Sequence, residues 1–338
     1  MLFFLSIKSF HFQSETRFNI DAAPWDLRTF KGRLKYFFWI TDPRLCLADD
    51  KTLEEAKNLR NLYRLGQEPQ GTKLTDVIRA KQLYESAFHP DTGEKQNVFG
   101  RMCFQMPGGM AITGVMLSFY RTNTAVVFWQ WVNQSFNAVV NYTNRNANSP
   151  LTEVQMGTAY CSATVAACFT AIKLKSFLAK QSGPFLQRYV PFAAVAAANC
   201  VNIPLMRQNE ITKGVDILDE NGNKVGISKV AAVKGISQVI LSRIIMCAPG
   251  MVLLPVIMES LCTKSSWIVR NTWFHAPFQT FGVGCFLLVM VPTACAIFPQ
   301  LSAIKVATLQ KLEPNAYEEI VKATGGQIPY VVYYNKGL

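Results

Sequence analysis

Apolar residues come in blocks along this chain, and the blocks begin late. Up to about Gly100, charged and polar residues interrupt every apolar run. Beyond it lie five long apolar segments, at 104–120, 156–172, 191–204, 236–258 and 278–298. A helix needs roughly 20 apolar residues to cross a hydrocarbon core, within a range of about 17–25. The last two segments meet this outright, the first two sit at the short end, and the third needs its flank from Pro184. The pattern predicts a mainly α, multi-pass transmembrane protein with about five spanning helices. Residues 1–103 read as a soluble, partly helical N-terminal region, 104–300 as the membrane domain and 301–338 as a C-terminal tail. Helical periodicity in the first third falls at 27–38, 53–65 and 74–87.

The most telling polar stretch lies between the first two apolar segments. Gln130, Asn133, Gln134, Asn137, Asn141 and Asn144 recur at three- and four-residue steps. At about 100° per residue they share a stripe about 100° wide. Phe128, Trp131, Val132, Phe136 and Val139 take the other side. The result is an amphipathic helix whose polar face carries amides and no charge. Amides in apolar surroundings need partners, which can be another helix, water or a ligand. Two placements fit: flat on the membrane surface with its tryptophans at headgroup depth, or along a substrate path.

Polar residues within the apolar segments add candidates. Asn199 and Asn202 stand beside Pro204, where a carbonyl is freed from helical pairing. Arg243 lies within the fourth segment, where a charge is costly and points to function. A structural pairing with an acid such as Glu210, or snorkelling, is the other reading. Pro249, Pro255 and Pro292 are expected to kink or break their helices.

The formal charge of +12 is uneven. Residues 1–103 carry 16 basic and 13 acidic side chains, the remainder 18 and 9. Excess positive charge among membrane loops suits anionic lipid headgroups, and no nucleic-acid-binding motif accompanies it. Lys173, Lys175, Lys180 and Arg188 lie in one loop, Lys264 and Arg270 in another. With five crossings the positive-inside tendency puts both loops, and residues 1–103, on the cytosol-equivalent side, which is the matrix for a mitochondrial protein. A crossing by the amide-striped helix would move residues 1–103 to the opposite side.

Catalytic and metal chemistry find little support. His11, His89 and His275 are far apart, and no phosphate loop or zinc motif occurs. The nine cysteines form no CxxC pair and read as small packing residues. Asn221-Gly222 between two β-prone runs predicts a hairpin near 214–228. The first residues lack the arginine-rich composition of a mitochondrial presequence, so no cleaved leader is expected. His89, Pro90, Asp91, Thr92, Gly93 and Glu94 read as a turn.

The chain resembles the sideroflexin family. That turn carries the resemblance, with the run from Trp129 to Asn137, Asn141-Tyr-Thr-Asn-Arg-Asn146, and the run from Asn199 to Arg207. Ser242-Arg243, Pro249-Gly-Met, Pro255 and Phe298-Pro-Gln300 add to it. The C-terminal Tyr333-Tyr-Asn-Lys-Gly-Leu338 and the start at Phe18-Asn-Ile-Asp resemble one branch of that family most. The resemblance implies a multi-pass protein of the mitochondrial inner membrane that imports serine and other small neutral amino acids for one-carbon metabolism. It also implies a link to iron homeostasis and haem synthesis. It supplies no residue roles, no cofactor and no metal. The substrate-path candidates Gln130, Asn133, Gln134, Asn137, Asn141, Asn199, Asn202 and Arg243 come from the residues themselves. Serine, membrane lipids and mitochondrial iron or haem proteins are the implied partners. A membrane scaffold or regulator acting through the first third, or a carrier of an iron-related metabolite, is the alternative.

Overall fold

A computed structural model of the protein describes residues 17–90, 92–119, 122–144, 152–181 and 184–337. Residues 1–16, Asp91, and Arg145 and Asn146 of the expected motifs lie outside them. The first third packs three helices, α1 (Phe30–Ile40), α2 (Asp50–Leu65) and α3 (Leu74–Ala87). Thr29 and Asp49 cap the first two by accepting from the amides of Gly32 and Thr52. α2 stops at Gly66, which takes a left-handed φ of 77°. Leu45, Leu53, Ala80, Leu83 and Phe88 form the core of this unit. The Cys46 and Cys103 sulfurs, 3.3 Å apart, join it to the head of the first membrane helix.

The membrane domain continues as α4 (Gln105–Phe119), α5 (Asn123–Thr143), α6 (Glu153–Gln181), the short α7 (Pro184–Gln187) and α8 (Val190–Met206). After α9 (Gln208–Lys213) and the strands β1 (Val215–Leu218) and β2 (Lys224–Ser228) come α10 (Lys229–Lys264), α11 (Ser266–Arg270) and α12 (His275–Ile297). Among the described residues, four stretches are long and apolar enough to cross a membrane: Met102–Phe119, Glu153–Leu178, Lys229–Lys264 and Thr272–Ile297. The fifth expected span is shorter, since α8 has 17 residues, or about 25 Å of helix.

Contacts at the helix ends fix the direction of every crossing. At one end, here the head, Arg33 of α1 donates to Ala296 O at the close of α12 (2.8 Å). Asn144, capping α5, donates to Gly100 O just before α4 (2.7 Å). Gln155 at the start of α6 reaches Asn209 of α9 there as well (3.3 Å). At the far end Ser118 of α4 donates to Gln279 of α12 (3.5 Å), and Lys175 of α6 to Asn123 of α5 (3.4 Å). There too Arg188, before α8, pairs with Glu259 of α10 at 2.9 Å. Six helices, α4, α5, α6, α8, α10 and α12, therefore run between the same two ends.

The five expected apolar segments are present as α4, α6, α8, α10 and α12, and the expected amphipathic helix as α5. The 21 residues of α5 span about 31 Å, a full hydrocarbon core. Its amides lower its hydropathy below that of the four long apolar stretches. The basic loops lie at the far end, opposite residues 17–90 at the head.

The segment beyond α12 is also folded. β3 (Leu301–Lys305), α13 (Val306–Leu312), α14 (Pro314–Ala323) and β4 (Val331–Asn335) build onto the hairpin β1–β2. The antiparallel sheet has the order β2-β1-β4-β3. Its buried face joins Ile217, Ile304, Leu309, Ile320, Val332 and Tyr334. The turn at Asn221-Gly222 closes the hairpin with Gly222 at φ 84°.

Close helix approach replaces hydrophobic drive inside the bundle. α6 turns Ala159, Ala163, Ala167 and Ala171 inward at four-residue steps, against α8 with Ala194 and Ala198. α4 meets α12 at Gly114, where an added Cβ would lie 2.3 Å from the backbone of Thr280. Of the kinks or breaks expected at prolines, breaks do not occur: α10 continues through Pro249 and Pro255, α12 through Pro292 and α8 through Pro204.

Gly114→Val should destabilise the assembled protein by about 1–3 kcal/mol through overpacking, read as a lower unfolding temperature in detergent. Tags placed at the N- and C-termini should be digested together, from one side only, when protease is added to sealed and then opened membranes.

Candidate functional site

The stripe of amides on α5 faces into the bundle. Its apolar side looks outward, with Phe128, Trp131, Val139 and Tyr142 each exposed. A helix lying on the membrane surface would present the reverse arrangement, polar face to water. Here hydrocarbon takes the apolar face and the protein takes the polar one.

A cavity opens where α4, α5, α8, α10 and α12 converge. Its polar lining is Gln105 and Thr113 from α4, Asn133 and Asn137 from α5, Asn199 from α8, and Arg243 from α10. Phe136, Val195, Met246, Leu287 and Val291 supply apolar walls. It offers about 50 Å³ to the centres of water-sized molecules. A single water needs roughly 10–15 Å³ on that measure, so several waters or one small solute fit. Four sequence candidates, Asn133, Asn137, Asn199 and Arg243, thus come together from three helices that are remote in the chain.

The other candidates go elsewhere. Gln130 is fully buried one turn away, its amide 3.9 Å from Met116 Sδ. Gln134 is buried beside it. Asn141 lies half-buried one turn past Asn137 and does not line the cavity. Asn202 is buried in the last turn of α8 and lies outside the lining, so the carbonyl freed by Pro204 is not a lining group. The residues of the turn expected at 89–94 hold structure. His89 N donates to Glu94 O (2.8 Å) and Gly93 N to His89 O (2.9 Å), with Gly93 at φ 69°. The loop after it reaches α5, where Gln96 donates to Thr143 O (3.3 Å). This loop seats the N-terminal unit on the end of α5, away from the cavity lining.

Electrostatics single out Arg243. It lies inside a membrane-crossing helix, is only half-buried by protein, and has no hydrogen-bond or ion-pair partner among the described residues. Glu210, the acid that sequence offered as its counter-ion, is held by Arg207 instead. No acidic side chain lines the cavity. Unpartnered polar atoms also gather there, with Gln105 Nε2 and Asn133 Nδ2 both buried and unbonded. Such groups are rare without a ligand or water to serve them. Gln105 escaped the sequence reading because it stands alone at the edge of an apolar segment. Among the described residues, no three histidine, cysteine or acidic side chains meet as a metal site.

The C-terminal strand ends on the head side of this region. Lys336 is 3% exposed. Its ammonium donates to Gly337 O (3.2 Å), and Arg207 donates to Lys336 O (2.6 Å). Burial, followed by repulsion from Arg207, Arg243 and Arg33, lowers its pKa from 10.5 to about 8. The folded state therefore sheds this proton before the unfolded chain does, and stability rises between pH 8 and 10.5. Lys336→Met should raise the unfolding temperature at pH 7, and the gain should shrink across that window in a pH series of thermal melts.

The sideroflexin family model matches residues 19–338. Sideroflexin-2 of Drosophila melanogaster is 54% identical over 326 residues, covering 96% of this chain and 99% of that protein. Sideroflexin-2 of Homo sapiens is also 54% identical, over 95% of this chain and 98% of its own length. Sideroflexin-1 of Ovis aries reaches 50% over 95% and 97%. The higher values agree with the C-terminal motif in pointing to the sideroflexin-2 branch. No solved structure matches the chain. A family model that spans nearly every residue, and relatives more than half identical from end to end, establish that this multi-pass membrane protein belongs to the sideroflexin family.

Proposed function

We propose that this protein carries small neutral amino acids, serine among them, across the mitochondrial inner membrane. The supporting observation is the cavity itself: amides from α4, α5 and α8 and one unpaired arginine converge in the middle of a bundle whose outer surface is apolar. A small zwitterion asks for donors at its carboxylate and acceptors at its ammonium. Arg243 supplies the first through charge-assisted hydrogen bonds. Amide oxygens of Asn137 and Asn199 supply the second, with the carbonyl of Met251, which Pro255 deprives of its usual helical donor. Neutral amides hold a neutral solute without trapping a net charge. Release to either side proceeds by an alternating-access rearrangement of the helices around this fixed site. Effects on one-carbon metabolism, haem synthesis and iron would then be consequences of amino-acid supply. If the positive-inside tendency assigns the basic far-end loops to the matrix, both terminal units face the intermembrane space.

The test is uptake of labelled serine by purified protein in liposomes. Saturable uptake, competed by unlabelled alanine, cysteine and glycine, is expected. Arg243→Ala should reduce it by at least about tenfold, the loss of one hydrogen bond to a charged group, and Asn137→Ala should also impair it. Normal uptake by either assembled variant would remove that residue from the site. No uptake by folded wild-type protein would turn attention to a scaffold role for the N-terminal unit.

A further inference from the structure

We infer that Gln105 and Asn133 complete, with Arg243, a three-armed donor site for a carboxylate, so that the cavity recognises its ligand by that group and also takes small monocarboxylates lacking an amino group. This rests on the cavity being the proposed amino-acid site, and it names what the site reads.

Three observations carry it. Gln105 and Asn133 are 7% and 8% exposed, yet each has an amide nitrogen with no partner. Both line the same cavity as Arg243. Arg243 can only donate, and it too lacks a partner among the described residues. The site is thus rich in unused donors and holds one uncompensated positive charge. A charge in such surroundings is costly unless a counter-charge meets it, and no acidic side chain of the lining does so. A ligand carboxylate satisfies all three arms at once, two of them on its planar oxygens as an arginine prefers. An ammonium has no such fit, because the lining offers it neutral acceptors only. The carboxylate therefore contributes most of the recognition, and the amino group contributes less. Thr113, Phe136 and Leu287 also line this cavity, and its volume of about 50 Å³ admits only a short chain.

The experiment uses full-length protein in nanodiscs and liposomes with three probes. These are serine, 3-hydroxypropanoate (serine without its amino group) and ethanolamine (serine without its carboxylate). Shifts in unfolding temperature read binding, and competition against labelled serine reads transport. 3-Hydroxypropanoate should stabilise the protein and compete, while ethanolamine should do neither. Gln105→Ala should weaken serine and 3-hydroxypropanoate alike by about tenfold. Gln105→Glu, which sets a carboxylate against the ligand's own, should abolish binding of 3-hydroxypropanoate. A merely structural role would lower the ligand-free unfolding temperature and leave the affinities unchanged. Should Gln105→Ala fail to assemble, Gln105→Met and Asn133→Ala read the same affinities.

Serine uptake with ethanolamine competing as well as 3-hydroxypropanoate would overturn the carboxylate site and leave the carrier reading standing. Affinities within twofold of wild type in a folded Gln105→Ala protein would remove Gln105 from it. Binding of 3-hydroxypropanoate without serine uptake would support the site and overturn the amino-acid cargo. Neither binding nor uptake would overturn both.

Discussion

Hydrocarbon gives a polar side chain nowhere to go, and that constraint organises the membrane half of this protein. An amide or a guanidinium that cannot reach water must turn toward other protein groups, toward trapped water or toward a ligand. α5 obeys by turning its amide stripe into the bundle and its aromatic side outward. The helices that meet around those amides then cannot close completely, because Asn137, Asn199 and Arg243 take up space that apolar packing would have filled. The cavity is thus a consequence of where polarity was placed along the sequence. The alanine and glycine contacts elsewhere, between α6 and α8 and between α4 and α12, hold the helices close enough for such a small volume to persist.

Much of this was legible in the chain. The apolar runs of α4, α6, α10 and α12 are long enough to be recognised by length alone, and four of the eight site candidates do meet. The stripe on α5 was visible as a periodicity, since three- and four-residue steps have one meaning on a helix. Its inward orientation was one of two readings left open, because the amides that make it useful also make it less apolar than its neighbours. Gln105 left no periodic trace. Pro249 and Pro255 suggested breaks that did not occur, because a helix packed on several sides can lose a hydrogen bond and continue.

The C-terminal unit was the least legible part. β3 and β4 have five residues each, and their sheet is completed by a hairpin more than seventy positions earlier. A local pattern cannot announce a partner that far away. Its core is ordinary once assembled, with Ile217, Leu309, Val332 and Tyr334 packed around the start of α10.

The order β2-β1-β4-β3 places the last strand of the chain inside the sheet, between a strand laid down before α10 and one laid down after α12. Until that strand exists, β1 and β3 have no shared neighbour, and the core around Ile217 and Ile304 lacks Val332 and Tyr334. A chain halted before Val331 would carry all six crossing helices and still leave this head-side core open. Loss of β4 alone would therefore leave β1 and β3 each with an unpaired edge on the head side, a ready template for pairing with another chain.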